Sequence, residues 1–458
     1  NGNWDVNSTS NWLNGAVADG QNNLANFSML DLESNTTVTL DGARSIGSLR
    51  FGDSTPSHDW TLSTGSGDPL TLTTSVGVPG IHVENQSATL DAVVSGTQGF
   101  IKTGDGTLTL GKANSLTGSV AISRGTVRCT HSTALGTSSI VFGDAGTGAS
   151  NIAWWFRNGG TTANAVTVSS SGSGTVTIGT ITGGTFTSMS GAMSLKRPVV
   201  LHDGTGDRTT FTGKISGAVG SIRLTGTRVI FSNSGNNFAG EVIVSDGSAY
   251  QNGTSGSIPD ASSVTLDGPN AQFRLNSNSE TIGALNGNGI VQNSAGTSNT
   301  LTVGGGNHSV TFAGSLINNV GILNLTKIGS GVQSLTGANT HTGNTTVSAG
   351  TLLVNGSLAN TAATVAAAGT LGGTGTLAGT VTNNGTLAPG SNGVGSLTVD
   401  NTLTLASGSK IAWEIADWTG TAGSGFDAIT TTSLNLTATN ANRIVIKPAE
   451  LTLVNFTE

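Results

Sequence analysis

Apolar and small hydroxylated residues alternate strictly in short runs spread along the chain: Thr37-Val-Thr-Leu40, Thr107-Leu-Thr-Leu110, Ser263-Val-Thr-Leu266, Leu301-Thr-Val303, Leu397-Thr-Val399 and Leu403-Thr-Leu405. A period of two sends alternate side chains to opposite faces of an extended segment, so each run predicts a short strand with one buried face. Between the runs lie Gly, Asn, Asp and Ser. Asp-Gly recurs at 41–42, 105–106, 203–204, 246–247 and 267–268, a dipeptide that favours tight turns with positive φ. No segment sustains a helical period. The best candidate, Ala359 to Ala368, is interrupted by Thr361, Thr364 and Val365 and flanked by Gly356 and Gly369, so little or no helix is predicted.

The runs belong to a repeat. Residues 102–125 align without a gap on residues 327–350: Lys102 matches Lys327, Asn114 matches Asn339, and Gly104, Gly106, Gly118 and Gly125 match Gly329, Gly331, Gly343 and Gly350. A looser third copy, Asn236 to Gly247, lines up with Asn114 to Gly125. Glycines at fixed offsets mean turns at fixed offsets, and a unit that cannot bury its apolar face alone must stack on its neighbours. The repeat copies fall near 99–129, 220–250 and 321–354. With roughly 20 residues per coil and ~4.8 Å between coils, the chain predicts a rod on the order of 100 Å long.

Composition sharpens this picture. The 458 residues include 69 Gly, only 9% are charged and 5% aromatic, against roughly a quarter charged in ordinary soluble domains. A thin core wetted by Thr, Ser and Asn fits these figures better than a compact sphere, and the alternation argues against disorder. The predicted fold is all-β, an elongated right-handed parallel β-helix (solenoid) with atypical aromatic-containing end modules. Residues 1–60, holding Trp4, Trp12 and Trp60, form an N-terminal capping region; 61–402 form the β-helix; and 403–458, denser in large apolar residues, form a C-terminal β module.

The segment 325–354 resembles the autotransporter-associated β-strand repeat, also called the passenger-associated transport repeat. Its pattern of Lys-x-Gly-x-Gly, Leu-x-Gly-x-Asn-x-x-x-Gly and Val-x-x-Gly-x-Leu is followed almost throughout by Lys327, Gly329, Gly331, Leu335, Gly337, Asn339, Gly343, Val347, Gly350 and Leu352. Gly369 to Gly390 resembles the Leu-Gly-Gly-x-Gly and Leu-x-Pro-Gly elements that follow such repeats, and Phe426-Asp427 resembles their closing Phe-Asp element. The resemblance implies a secreted bacterial protein, a β-helical passenger or surface fibre, and a structural or adhesive task without catalytic residues. The chain begins at Asn1, which is read as a processed form or a fragment.

Little of the sequence reads as catalytic chemistry. His202, Asp203, Asp207 and Arg208 form the densest polar cluster, read as a solvated turn rather than a metal or sugar site. Glu414 and Asp417 lie between Trp413 and Trp418 and are read as outward acids on a packed terminal strand. The six histidines, at 58, 82, 131, 202, 308 and 341, show no zinc spacing, and the calcium-binding nonapeptide is absent. Cys129 is read as a small buried hydrophobe, with an intermolecular disulfide as the alternative, and Lys196-Arg197 as a solvated turn before Pro198.

With a net charge of −7 and 18 basic residues read as dispersed, nucleic acid is not an expected partner, and no run of 18 apolar residues spans a bilayer. The expected function is a non-enzymatic extracellular structural protein, a surface stalk or fibre subunit assembling end to end with itself or with other surface components. The alternative is an adhesin or carbohydrate-binding passenger whose glycan contacts are Trp154, Trp155, Trp413 or Trp418. A polysaccharide-degrading enzyme comes third. No cofactor, metal or catalytic residue is expected.

Overall fold

The computed structural model describes residues 2–4, 9–12, 15–65, 69–156, 159–181, 186–204, 208–439 and 442–454. Among them there is no α-helix; one 3-10 turn, Thr9–Asn11, is the only helical element. The helical candidate inside 359–368 is strand, Ala363–Gly373, because Thr364 and Val365 prefer an extended backbone and stack on like residues. The chain divides into two compact units, Asn1–Val229 and Ile230–Glu458.

Both units are parallel β-solenoids, in which each strand pairs with the strand one coil before and one coil after. In the first unit one interior column runs Ala88, Leu108, Val127, Trp154, Ile178, Leu201, Leu224. Successive members are 19 to 27 residues apart, so coils differ in length while the ladder stays in register, the extra residues leaving at the corners. In the second unit the interior column Leu301, Leu325, Thr345, Ala363, Val381, Leu403 advances by 18 to 24 residues. The adjacent outward column is Thr302, Thr326, Thr346, Thr364, Thr382, Thr404, a ladder of six threonines. Alternation therefore does the work the sequence assigned to it: Leu faces in and Thr faces water. Each interior Leu is fully enclosed, and truncating one to Ala would cost about 2–5 kcal/mol.

Aromatic rings gather at the start of the first unit. Trp4 lies 5.4 Å from Trp12 and 5.6 Å from Phe27, and Phe27 stacks on Phe51 at 5.2 Å. Two of the buried indole N–H groups find carbonyls, Trp4 Nε1 donating to Ala18 O and Trp60 Nε1 to Gly52 O, each at 2.8 Å, while Trp12 Nε1 is buried without a hydrogen-bond partner. These rings pack on one another beside the first described coils.

Candidate functional site

The repeat positions converge on one corner of the solenoid. Lys102 occupies the interior column between Ile81 and Ile122, a place where both column neighbours are aliphatic. Its ammonium reaches out of that column to three backbone carbonyls, Gly104 O at 2.8 Å, Thr103 O at 3.0 Å and Arg124 O at 3.1 Å. Lys327, between Val303 and Val347, repeats the arrangement on Ile328 O, Gly329 O and Ala349 O. Each lysine thus ties the turn of its own coil to the turn of the next. Burial pushes the Lys102 ammonium down to about 7 and that of Lys327 below its ordinary value, while the carbonyl dipoles hold the protons. Gly125 and Gly350 make room for this clamp: both have positive φ, and a Cβ on Gly350 would stand 2.2 Å from Gly329 O and 2.9 Å from Lys327 Nζ.

The repeat asparagines link three coils. Asn114 Oδ1 accepts from Val94 N at 2.8 Å, one coil earlier, and its Nδ2 donates to Ala134 O at 2.7 Å, one coil later. Asn339 does the same between Leu316 N and Ser357 O. In the third copy Asn236 Nδ2 donates to Ser257 O at 2.8 Å. Sequence alignment found these positions without showing what they do; the signal available was a lone Lys inside an alternating apolar run.

The aromatic candidates separate by strand parity. Trp154 points inward and is fully buried, its Nε1 against Cys129 Sγ at 3.4 Å, so its ring is core and cannot meet a ligand. Trp155 points outward and meets His202 edge to face at 5.4 Å. Trp413 and Trp418 are 37% and 64% exposed and, with Ile415, Phe426, Ile446 and Pro448, line an apolar cleft of about 480 Å³. Strand Lys410–Asp417 is paired on both sides, with Thr386–Pro389 and Val445–Val454, yet the two rings stay partly exposed. Ile446 and Pro448 were not singled out as contacts from sequence, and Phe426 only as part of the closing Phe-Asp element, because nothing there pairs strand Lys410–Asp417 with Val445–Val454. Glu414 is half-buried rather than outward, and burial and the nearby Asp427 raise the carboxyl.

Two turns read as solvated are not. Asp203 is enclosed, accepting Thr209 Oγ1 at 2.7 Å and Arg228 N at 2.9 Å, because strand Val199–Asp203 turns its odd positions inward. Its sequence companion Asp207 lies outside the described residues. Arg197 is likewise buried, with Nη1 donating to Gly172 O and Gly174 O at 2.8 Å each, a one-residue analogue of the lysine clamp. Cys129 is buried, and the apolar surroundings push its thiol up to about 12. Among the described residues no group of three or more His, Cys, Asp or Glu is placed to hold a metal ion.

The family model described as Passenger-associated-transport-repeat matches residues 100–128 and 325–354, the two segments that carry the lysine and asparagine ties. The chain carries passenger-associated transport repeats. A stretch of 100 residues, 22% of the chain, is 35% identical to the Adhesin BmaC autotransporter of Brucella suis biovar 1 (strain 1330). That stretch covers 3% of the adhesin, so the chain matches only a small part of that relative. No solved structure matches. In this chain the transport repeat is a device for locking coils, since its Lys, Asn and Gly positions all act on backbone.

Proposed function

We propose that the chain is a length of a secreted bacterial adhesin passenger, displayed outside the cell as a non-catalytic β-solenoid. The observation that carries this reading is the stretch shared with a protein named as an adhesin autotransporter. The fold agrees with it: the repeat positions spend their polar groups on backbone, and the exposed aromatics at Trp413 and Trp418 offer apolar contact area of the sort that anchors interfaces. Beads coated with the full chain should adhere to cultured host cells. Beads that adhere no better than albumin-coated ones would refute the reading.

A second reading, end-to-end assembly into a fibre, draws on the last strands. Ala428–Leu436 pairs with Ser396–Leu405 and Val445–Val454 with Lys410–Asp417, and among the described residues neither takes a further partner. Leu434, Leu436, Val445 and Ile446 are exposed there, as an unpaired solenoid edge leaves them. Electron microscopy across a concentration series should show filaments; monomers throughout would remove this reading and leave the first.

A further inference from the structure

The dispersal of basic residues read from the sequence does not hold. Between Gly106 and Val229 lie ten Lys and Arg against three Asp and Glu, a net of +7, while the remaining residues carry eight against 22, a net of −14. Two of the ten are neutralised in surface pairs, Lys112 with Asp91 and Arg124 with Asp105. Of the three acids, Asp203 faces the interior, and Asp144 is engaged with Ser123, Gly146 and Thr147. Positive charge is therefore concentrated on one stretch of the first unit.

Register gathers part of it on one face. Strands Gly125–Cys129, Ile152–Phe156, Val176–Thr180, Val199–Asp203 and Ile215–Gly226 stack in that order. One outward column reads Arg128, Trp155, Gly179, His202, Thr225, and the next reads Thr126, Ala153, Thr177, Val200, Arg223. Arg128 and Arg223 stand four rungs apart, roughly 19 Å. Gly179 matters here. Trp155 and His202 are two rungs apart, yet their rings meet at 5.4 Å because the rung between them bears no side chain. A Cβ at 179 would lie 2.1 Å from His202 O. His202 is held by Thr225, Nδ1 to Oγ1 at 2.9 Å, and burial lowers its pKa against the opposing charge of Asp203.

Beside this platform the turns entering the same strands form a groove of about 340 Å³, lined among others by Ser173, Thr175, Arg197, Ser221 and Arg223. Arg197 lines it but is only 9% exposed, with Nη1 on backbone carbonyls and Nε and Nη2 sealed from solvent, so the accessible guanidinium groups of this face are those of Arg128 and Arg223. An aromatic–imidazole platform, hydroxyls and guanidinium groups together suit a ligand with apolar ring faces, many hydroxyls and negative charge. Nucleic-acid grooves use successive stacking aromatics, whereas a single tryptophan stands here.

We infer that this face and groove of the first unit bind an anionic polysaccharide, one bearing carboxylate or sulfate groups, with Trp155 packing on a sugar ring and Arg128 and Arg223 on the charges. The inference rests on the adhesin reading and names the ligand class of its adhesive surface.

The test is calorimetric titration of the full chain with heparin (sulfated), polygalacturonate (carboxylated), dextran (neutral) and duplex DNA. At least one of the two anionic polysaccharides binds, and raising the salt weakens it; dextran does not bind. Arg128→Ser with Arg223→Ser weakens binding roughly tenfold or more, Trp155→Ala weakens it severalfold, and Lys410→Ser with Lys447→Ser leaves it unchanged. Arg128→Lys with Arg223→Lys retains most of the affinity, which separates loss of charge from loss of fold. No binding to either anionic polysaccharide, or binding that the double Ser variant leaves intact, overturns the inference. So does DNA bound as tightly as heparin with Trp155→Ala silent, which would mark a plain polyanion surface. Bead adhesion to cells that survives excess heparin would overturn this face as the adhesive one and leave the adhesin reading standing; heparin binding with no adhesion to any cell would do the reverse.

Discussion

Two buried titratable groups in the second unit oppose each other over the same pH range, and removing either should expose the other. Glu280 is enclosed with Tyr250, Asn252 and Ser257; its carboxyl accepts Ile258 N at 3.2 Å and Ser257 N at 3.3 Å. Burial outweighs those donors and raises it from 4.5 to about 7. A raised folded pKa stabilises the fold fully below 4.5 and loses that contribution as pH climbs through 7. The size is the pKa difference times 1.36 kcal/mol, about 3 kcal/mol. His341 is also enclosed, with Nε2 3.1 Å from Thr345 Oγ1 and Nδ1 without a partner, and burial lowers it from 6.5 to about 4. A lowered folded pKa in a base does the opposite: the fold is penalised below 4 and regains about 3 kcal/mol as pH rises to 6.5.

In the wild type these two slopes cancel to first order between pH 4.5 and 6.5. Urea unfolding midpoints followed by circular dichroism should therefore move little because of this pair. Relative to the double variant, which keeps only the pH dependence of the other groups, Glu280→Gln should gain about 3 kcal/mol of stability as pH rises from 4 to 6.5 and His341→Leu should lose about as much from pH 4.5 to 7. His341→Leu is a fair substitution because the aligned residue of the other repeat is Leu116, itself buried. The reasoning fails if the difference between Glu280→Gln and wild type is the same at every pH.

The repeat clamps make a plainer prediction: Lys102→Met keeps the volume but strands carbonyls of two coils, and should lower stability by about 1–3 kcal/mol with faster amide exchange around 103–106 and 123–126. Gly350→Val meets Gly329 O and strains a φ of 64°, so it should cost more than Lys327→Met in a thermal melt; equal midpoints would count against the corner geometry. Cys129, buried and held protonated, should resist a thiol reagent at pH 8 until denaturant is added; rapid labelling of the folded chain would contradict its placement.

Strands and coils were open to reading because Thr-Leu-Thr-Leu runs state both their period and their buried face. What stayed hidden depended on register. Lys102 looks like a surface residue until Ile81 and Ile122 are found on either side of it. Trp155 and His202 are 47 positions apart, and only the pairing of both rungs with Gly179 reveals that they touch. Coil lengths of 18 to 27 residues defeat a fixed repeat of about 20, so no count along the chain could have aligned them. Asp203 and Arg197 were misjudged for the same reason, since turn-like neighbours concealed inward positions.

That unevenness of coil length has an evolutionary side. Residues can be gained or lost at a corner while the strands above and below keep their partners, so the outer contour can drift without cost to the interior. Lineages should then differ at corners such as 143–151, between strands Ser139–Phe142 and Ile152–Phe156, and agree at the lysine and asparagine ties.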